Sequence, residues 1–440
     1  MRKTIIGSSI LFLVLAGISP ALTLKESINI ALKNNPSVIA TSKKADAASA
    51  KLAQAIGAFF PTLKVDGTLG RSYTQPSAVQ ITTQTSQGAT TQNLSFGTDA
   101  AQNSKSLQVS LSQPVFIAAL FPAYGMAKRG WELSNEELRK IVLETSFNAI
   151  QAYFGVLKAE KMVKLAEESK DMAQSHLKQV QAMLSAGVAT RADLLRAEVQ
   201  SANSEVSLTR ANNVLELAKD AFNNALGNDL ENEVNLEEEG LSGTVAALPE
   251  YKNLLLLAFD HRPDWKQFIL SSGISEDNLR LAQTAYLPTV MLSAATGNQI
   301  TEYPAFTSDV NSWRVTGAAS WTLFDGLGIQ NRIREASSNL EAQKALEEQV
   351  RSGIALEVRD AYLNLKSALE TIGSAKKAVE SAEENHKVSA LRFSSGVGTN
   401  LEVLDAQVSL TQAKTNHLQS LFDVELAKAK INKVVGWEVI

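Results

Sequence analysis

Residues 187–195 read GVATRADLL and residues 396–404 read GVGTNLEVL. Both carry Gly-Val, a Thr three places after the Gly, and an acid three places after the Thr. A Gly that follows a helical tract ends it in the left-handed conformation. A Thr with an acid at the third position beyond opens the next helix, each side chain binding a backbone N–H. Thr190 with Asp193 resembles that capping box, and Thr399 with Glu402 fits it fully. Each stretch therefore predicts a helix reversal, with Asp193 and Glu402 as caps. Asp405 lies three residues after Glu402, on the same helix face and too far along to cap.

Working outward, the same offset of 209 residues relates AYF at 152–154 to AYL at 361–363. An offset of 227 relates ALKNNPSV at 31–38 to AFDHRPDW at 258–265, AFFPTL at 58–63 to AYLPTV at 285–290, and Gly70 to Gly297. The difference of 18 residues falls between Tyr73 and Lys105, a stretch rich in Thr, Gln and Ser set against a shorter connection at Thr301 to Asn311. One structural plan is thus built twice.

Each copy predicts a helix (Thr23 to Phe60; Glu250 to Leu287) stopped at Pro61 or Pro288, because Pro cannot continue it. Two strands follow, about 61–73 and 105–115 in the first copy and about 288–299 and 312–323 in the second. Leu63, Val65 and Leu69 alternate with Lys64, Asp66 and Thr68, and Leu107, Val109 and Leu111 with Gln108, Ser110 and Ser112. One apolar and one polar face suit a barrel wall between lipid and water. Thr74 to Lys105 reads as a loop between the two strands of the first copy. A Pro-free tract from about Ala123 to Ala186 then predicts a helix of roughly 95 Å at 1.5 Å per residue, and Leu327 to Ser395 one slightly longer. Apolar spacings of three and four along them read as coiled-coil packing. A returning helix of about 36 residues closes each copy. The first repeat spans 22–230 and the second 251–440, and the acidic stretch 231–250 reads as a solvated linker. Four strands cannot close a barrel, so several chains contribute to one wall, and three chains would give 12 strands.

The 440 residues have a formal charge of −4 and a pI near 5.8, which leaves no basic footprint for nucleic acid. With no Cys there is no disulfide, thiolate metal site or lipidated N-terminal Cys. Arg2 and Lys3 precede an apolar run to about Ile18 and then Ser19-Pro20-Ala21, the pattern of a cleaved signal peptide over 1–21. Its removal takes the charge to −6.

The element order, with LTLKESINIALKNNPSV, AFFPTL, GVATRADLL and GVGTNLEVLDAQ, resembles the TolC family of outer-membrane efflux proteins over essentially the whole mature chain. The resemblance implies an α+β membrane protein: a homotrimer whose four strands per chain form a 12-stranded outer-membrane barrel, continued by a long α-helical coiled-coil barrel into the periplasm. It implies a periplasmic adaptor and an inner-membrane transporter of the efflux-pump or ABC type as partners, with no cofactor. The adaptor would contact the reversals at Gly187, Val188, Ala189, Thr190, Gly396, Val397, Gly398 and Thr399. Glu402 and Asp405, with Asp193 from the first repeat, would form an acidic ring at the periplasmic aperture. Where well-known members carry a Tyr and an Arg that make gating links, this chain has Phe393 and Gly398, which cannot make them. The resemblance thus implies a closed state held more weakly than in those members, or differently, with Arg191 or Arg392 as substitutes.

Two other readings stay open. A periplasmic coiled-coil adaptor or scaffold without a pore would use the same long hairpins, though it has no need of the alternating strands. An enzyme finds little support: His176, His261, His386 and His417 have no partners at metal-ligand spacing, and no nucleophile or phosphate-loop motif is present. Nothing in the residues separates small-molecule from polypeptide cargo.

Overall fold

The computed structural model describes residues 21–73, 75, 77–85, 88–96, 100–238, 248–304 and 306–437. The predicted leader, apart from Ala21, lies outside them. The chain divides into two compact units, a helical one of Met1–Lys44, Asn135–Gln267 and Gln349–Ile440, and one of Ala45–Ser134 and Phe268–Glu348 that holds the strands.

Where one helix was expected at the start of each repeat, there are two: α1 (Leu24–Asn34) and α2 (Pro36–Gly57), then α5 (Tyr251–His261) and α6 (Pro263–Thr284). The cause lies in the matched segments themselves. Pro36 and Pro263 push the residue before them out of the α region, and Asn35 and Arg262 are extended, with ψ of 122° and 125°. The long helices α3 (Leu120–Ser185) and α7 (Gly328–Ser394) have 66 and 67 residues, and the returning helices α4 (Arg191–Leu226) and α8 (Asn400–Val435) have 36 each. No helix among the described residues is long and apolar enough to cross a membrane.

In the helical unit each returning helix ends by docking on the break between the two short helices. Gly227 ends α4 in the left-handed region against Asn34 and Asn35, and Gly436 ends α8 likewise against His261 and Arg262. The break residues reach back. Asn35 donates from its amide to the Ala225 carbonyl at 3.5 Å, and Arg262 from its guanidinium to the Val434 carbonyl at 3.2 Å. Nearby lies a core of Ala31, Ala149, Tyr153, Phe154, Leu157, Phe222 and Phe422. The acidic stretch expected as a solvated linker is partly built into this core. Leu236 bridges Leu22, and the Tyr153 hydroxyl donates to the Glu237 carbonyl at 2.5 Å and the Leu22 carbonyl at 3.3 Å. Val234 and Leu236 alternate with Glu233, Asn235 and Glu237, a period of two that the charge obscured.

In the strand unit β1 (Thr62–Ser72), β4 (Gln102–Ile117), β5 (Thr289–Glu302) and β6 (Thr307–Ser320) form an antiparallel sheet in the order β1-β4-β5-β6. The stretch expected as a loop instead holds β2 (Ser77–Thr85) and β3 (Gly88–Phe96), a separate hairpin. Strand β6 begins earlier and ends earlier than expected, so Trp313 sits mid-strand opposite Thr296 rather than at one end. The register puts Leu63, Val65, Leu107, Leu111, Trp313 and Val315 on one face, all exposed in the single chain, and Lys64, Asp66, Gln108, Ser110 and Thr316 on the other. A bulge between Pro114 and Phe116 fits the missing Pro N–H.

Candidate functional site: the paired helix reversals

Where the long helices end, the two reversals repeat each other bond for bond. Gly187 (φ 76°) and Gly396 (φ 75°) end α3 and α7. Their N–H groups donate to Leu184 and Phe393, and those of Val188 and Val397 to Met183 and Arg392, at 2.9–3.0 Å. This is the Schellman arrangement. Val188 and Val397 stand 64% and 70% exposed, apolar tips with no cover in the single chain.

The caps differ from expectation. Thr190 and Asp193 form the complete box. The Thr190 N–H and hydroxyl donate to the Asp193 carboxylate at 3.1 and 2.6 Å, and the Asp193 N–H donates to the Thr190 hydroxyl at 3.2 Å. At the second reversal only the Glu402 N–H donating to the Thr399 hydroxyl, at 3.2 Å, is formed. The shorter Asp proved the better fit, and the Glu402 side chain is exposed. The Thr190 hydroxyl, more than its N–H, Asn400 or Arg196, holds the Asp193 carboxyl below its ordinary value against burial. Asp405 is exposed beside Arg196 in a shallow groove of about 470 Å³ between α4 and α8, with Leu195, Val199, Leu401 and Val408.

Phe393 is 5% exposed and packs with Val180, Leu194, Ala197 and Val403, so it joins α7 to α3, α4 and α8. Its ring lies 5.3 Å from that of His176. Gly398 occupies the place that Ala189 has in the first reversal, and a Cβ there would lie 2.9 Å from Arg392 Cβ and the Phe393 nitrogen. The backbone thus excludes a charged side chain at 398 unless it shifts.

The residues that tie the two hairpins together escaped the sequence reading. Asn400, 2% exposed at the start of α8, donates its amide to the Asp193 carbonyl at 3.1 Å and meets His176 Nε2 through Oδ1 at 2.6 Å. Gln407, 1% exposed, donates to the Ser169 carbonyl at 3.3 Å. Lys414 pairs with Glu168 at 3.3 Å and Glu383 at 3.5 Å. Neither Arg191 nor Arg392 makes such a tie among the described contacts; both are exposed. The signal was spacing. Ser169, Ala173, His176 and Val180 on α3, and Asn400, Val403, Gln407 and Leu410 on α8, are buried at alternating intervals of three and four. A polar residue at such a position fixes register against a partner helix.

The family described as outer membrane efflux protein matches residues 27–228 and 254–436, one segment in each repeat. Outer membrane protein TolC of Escherichia coli is 23% identical over 433 residues, 96% of this chain and 82% of that protein. The alkaline protease secretion protein AprF of Pseudomonas aeruginosa is 24% identical over 421 residues, 95% and 83% of the two chains. The solved structure of outer membrane protein VceC from Vibrio cholerae superposes with a TM-score of 0.77 at 18% identity, over 94% of this chain and 96% of the other. With both repeats matched and the fold shared over nearly the whole chain, the chain belongs to the outer membrane efflux protein family.

Proposed function

We propose that three copies close a 12-stranded barrel in the outer membrane and serve as the passive exit duct of a tripartite efflux or type I secretion system. The sheet carries this reading: among the described residues its outer strands β1 and β6 are both unpaired edges, and four strands are about half the practical minimum for closure. Its exposed apolar face suits lipid and its polar face a water-filled lumen. A periplasmic adaptor docks at the reversals, Gly187 to Thr190 and Gly396 to Thr399, where Val188 and Val397 offer it apolar contacts, and an inner-membrane transporter supplies the cargo. The duct has no catalytic step and no cofactor.

Glu402 and Asp405, with Asp193, form the acidic aperture. Three copies of each give a ring whose negative potential favours cations. The protein inserted in a planar bilayer is expected to give stepwise, cation-selective conductance blocked by divalent cations. Asp405→Ala is expected to lower cation selectivity and weaken that block, each several-fold. Unchanged selectivity and block would remove Asp405 from the ring, and a lack of any conductance would remove the duct.

A further inference from the structure

Two imidazoles of the helical unit lie outside the acidic aperture. His176 on α3 is 7% exposed, its Nε2 at 2.6 Å from Asn400 Oδ1. Because the Asn400 amide nitrogen donates to the Asp193 carbonyl, its oxygen is the acceptor, and the neutral imidazole carries its proton on Nε2. This one hydrogen-bond chain joins α3, α8 and α4, and Phe393 of α7 packs on the ring. His386 on α7 is partly buried and close enough to feel the charge of His176. Lys414 of α8, itself paired with Glu168 of α3 and Glu383 of α7, is the charged side chain that acts on His386, and Asn400 links His176 to the backbone of Asp193 on α4, whose carboxylate Arg196 influences.

We propose that His176, acting through Asn400, is a positioning residue for the aperture: neutral, it ties the two hairpins together, and protonated, with His386 beside it, it loosens them, so that the channel opens in mild acid. This rests on the channel reading above. Protonation leaves the Nε2–H bond to Asn400 in place and puts a second proton on Nδ1 of a buried ring packed on Phe393, so its cost falls on that packing. Burial is the larger influence on His176 and pushes it below the ordinary value of 6.5, while the Asn400 bond pulls the other way. Burial, then His176, then Lys414 push His386 down as well. A folded value below the unfolded one means that the stability gained by burying the His176 ring between the hairpins is at full strength above about pH 6.5 and is lost as the pH falls through the folded value. Asp193, already below its ordinary value of 3.8, stays ionised across that window.

Planar-bilayer recordings of the full mature protein at about pH 7.5 and about pH 5.5, either side of the ordinary imidazole value, test this. The wild-type protein is expected to show several-fold higher mean conductance in acid. His176→Gln combined with His386→Gln is expected to show the same low conductance at both, since the Gln amide still donates to Asn400 but cannot take up a proton. Asn400→Ala is expected to conduct at the higher pH as the wild type does at the lower. An acid response that survives in the double variant, or a wild type without one, overturns the assignment and leaves the channel intact. No conductance from inserted protein at either pH overturns the channel reading itself. Should the double variant fail to insert, hydrogen exchange of residues 393–400 in His176→Gln decides. Exchange that rises with acid in the wild type and stays flat in the variant supports the tie, and an equal rise in both overturns it.

Discussion

Tyr153→Ala is expected to cost the helical unit about 3–5 kcal/mol, the range for truncating a buried aromatic side chain. The ring is fully buried, packs on Phe154 and Phe222 at 5.8 and 6.2 Å, and carries the hydroxyl that ties the stretch between the repeats to Leu22. Tyr153→Phe keeps the ring and takes the hydroxyl from the Glu237 carbonyl, while the Leu22 carbonyl still accepts from the Glu237 N–H at 3.0 Å, an expected loss of about 1–3 kcal/mol. The matching Tyr362 of the second repeat is only partly buried, on Tyr251 at 6.0 Å and under Arg359 at 5.7 Å. Tyr362→Ala is therefore expected to cost clearly less. Urea midpoints of the detergent-solubilised protein, followed by circular dichroism, separate the three. Equal losses at 153 and 362 would contradict the account of the core.

Gly436→Ala is expected to cost about 2–4 kcal/mol, from left-handed strain on a side-chain-bearing residue together with overpacking. Its φ is 77°, and an added Cβ would lie 3.0–3.1 Å from the His261 carbonyl oxygen and the Arg262 backbone. Backbone atoms cannot swing aside as a flexible side chain would. Gly396 has nearly the same φ, 75°, but nothing within 4 Å of its Cβ position. Gly396→Ala is therefore expected to cost only the conformational strain, about 1–2 kcal/mol. The same denaturation series measures both. A Gly436→Ala loss no larger than that of Gly396→Ala would mean that the docking of α8 on the break before Pro263 contributes little.

Much of this fold was legible because its signals are local. A Gly ending a helix, a Thr starting one and alternating residues after Pro61 and Pro288 need no distant partner to be recognised. The duplication then doubled each signal. What was misread depends on tertiary context or on signals given too little weight. Pro36 and Pro263 break the helix inside the matched segments, but the apolar residues on either side continue the helical spacing and mask the break. Charges at Glu233 and Glu237 hid the apolar residues between them. The Thr- and Gln-rich insertion has β-forming residues such as Val79, Ile81 and Thr82, but no strong alternation to announce a hairpin. At the reversals, the cap pattern was readable, whereas its quality was not, because Asp193 and Glu402 differ by one methylene whose effect depends on local geometry. In the sequence His176 stands out only as a histidine without metal-ligand neighbours, and Asn400 does not stand out at all. Only their positions within two buried three-and-four patterns, on helices far apart in sequence, mark them as partners.

The proposed membrane barrel closes only if copies of this chain assemble. Light scattering of the detergent-extracted protein, together with single-particle electron microscopy, measures that directly. The account predicts a three-fold symmetric particle in which three four-stranded sheets close one ring. A monomer or dimer that stays soluble without detergent would contradict it.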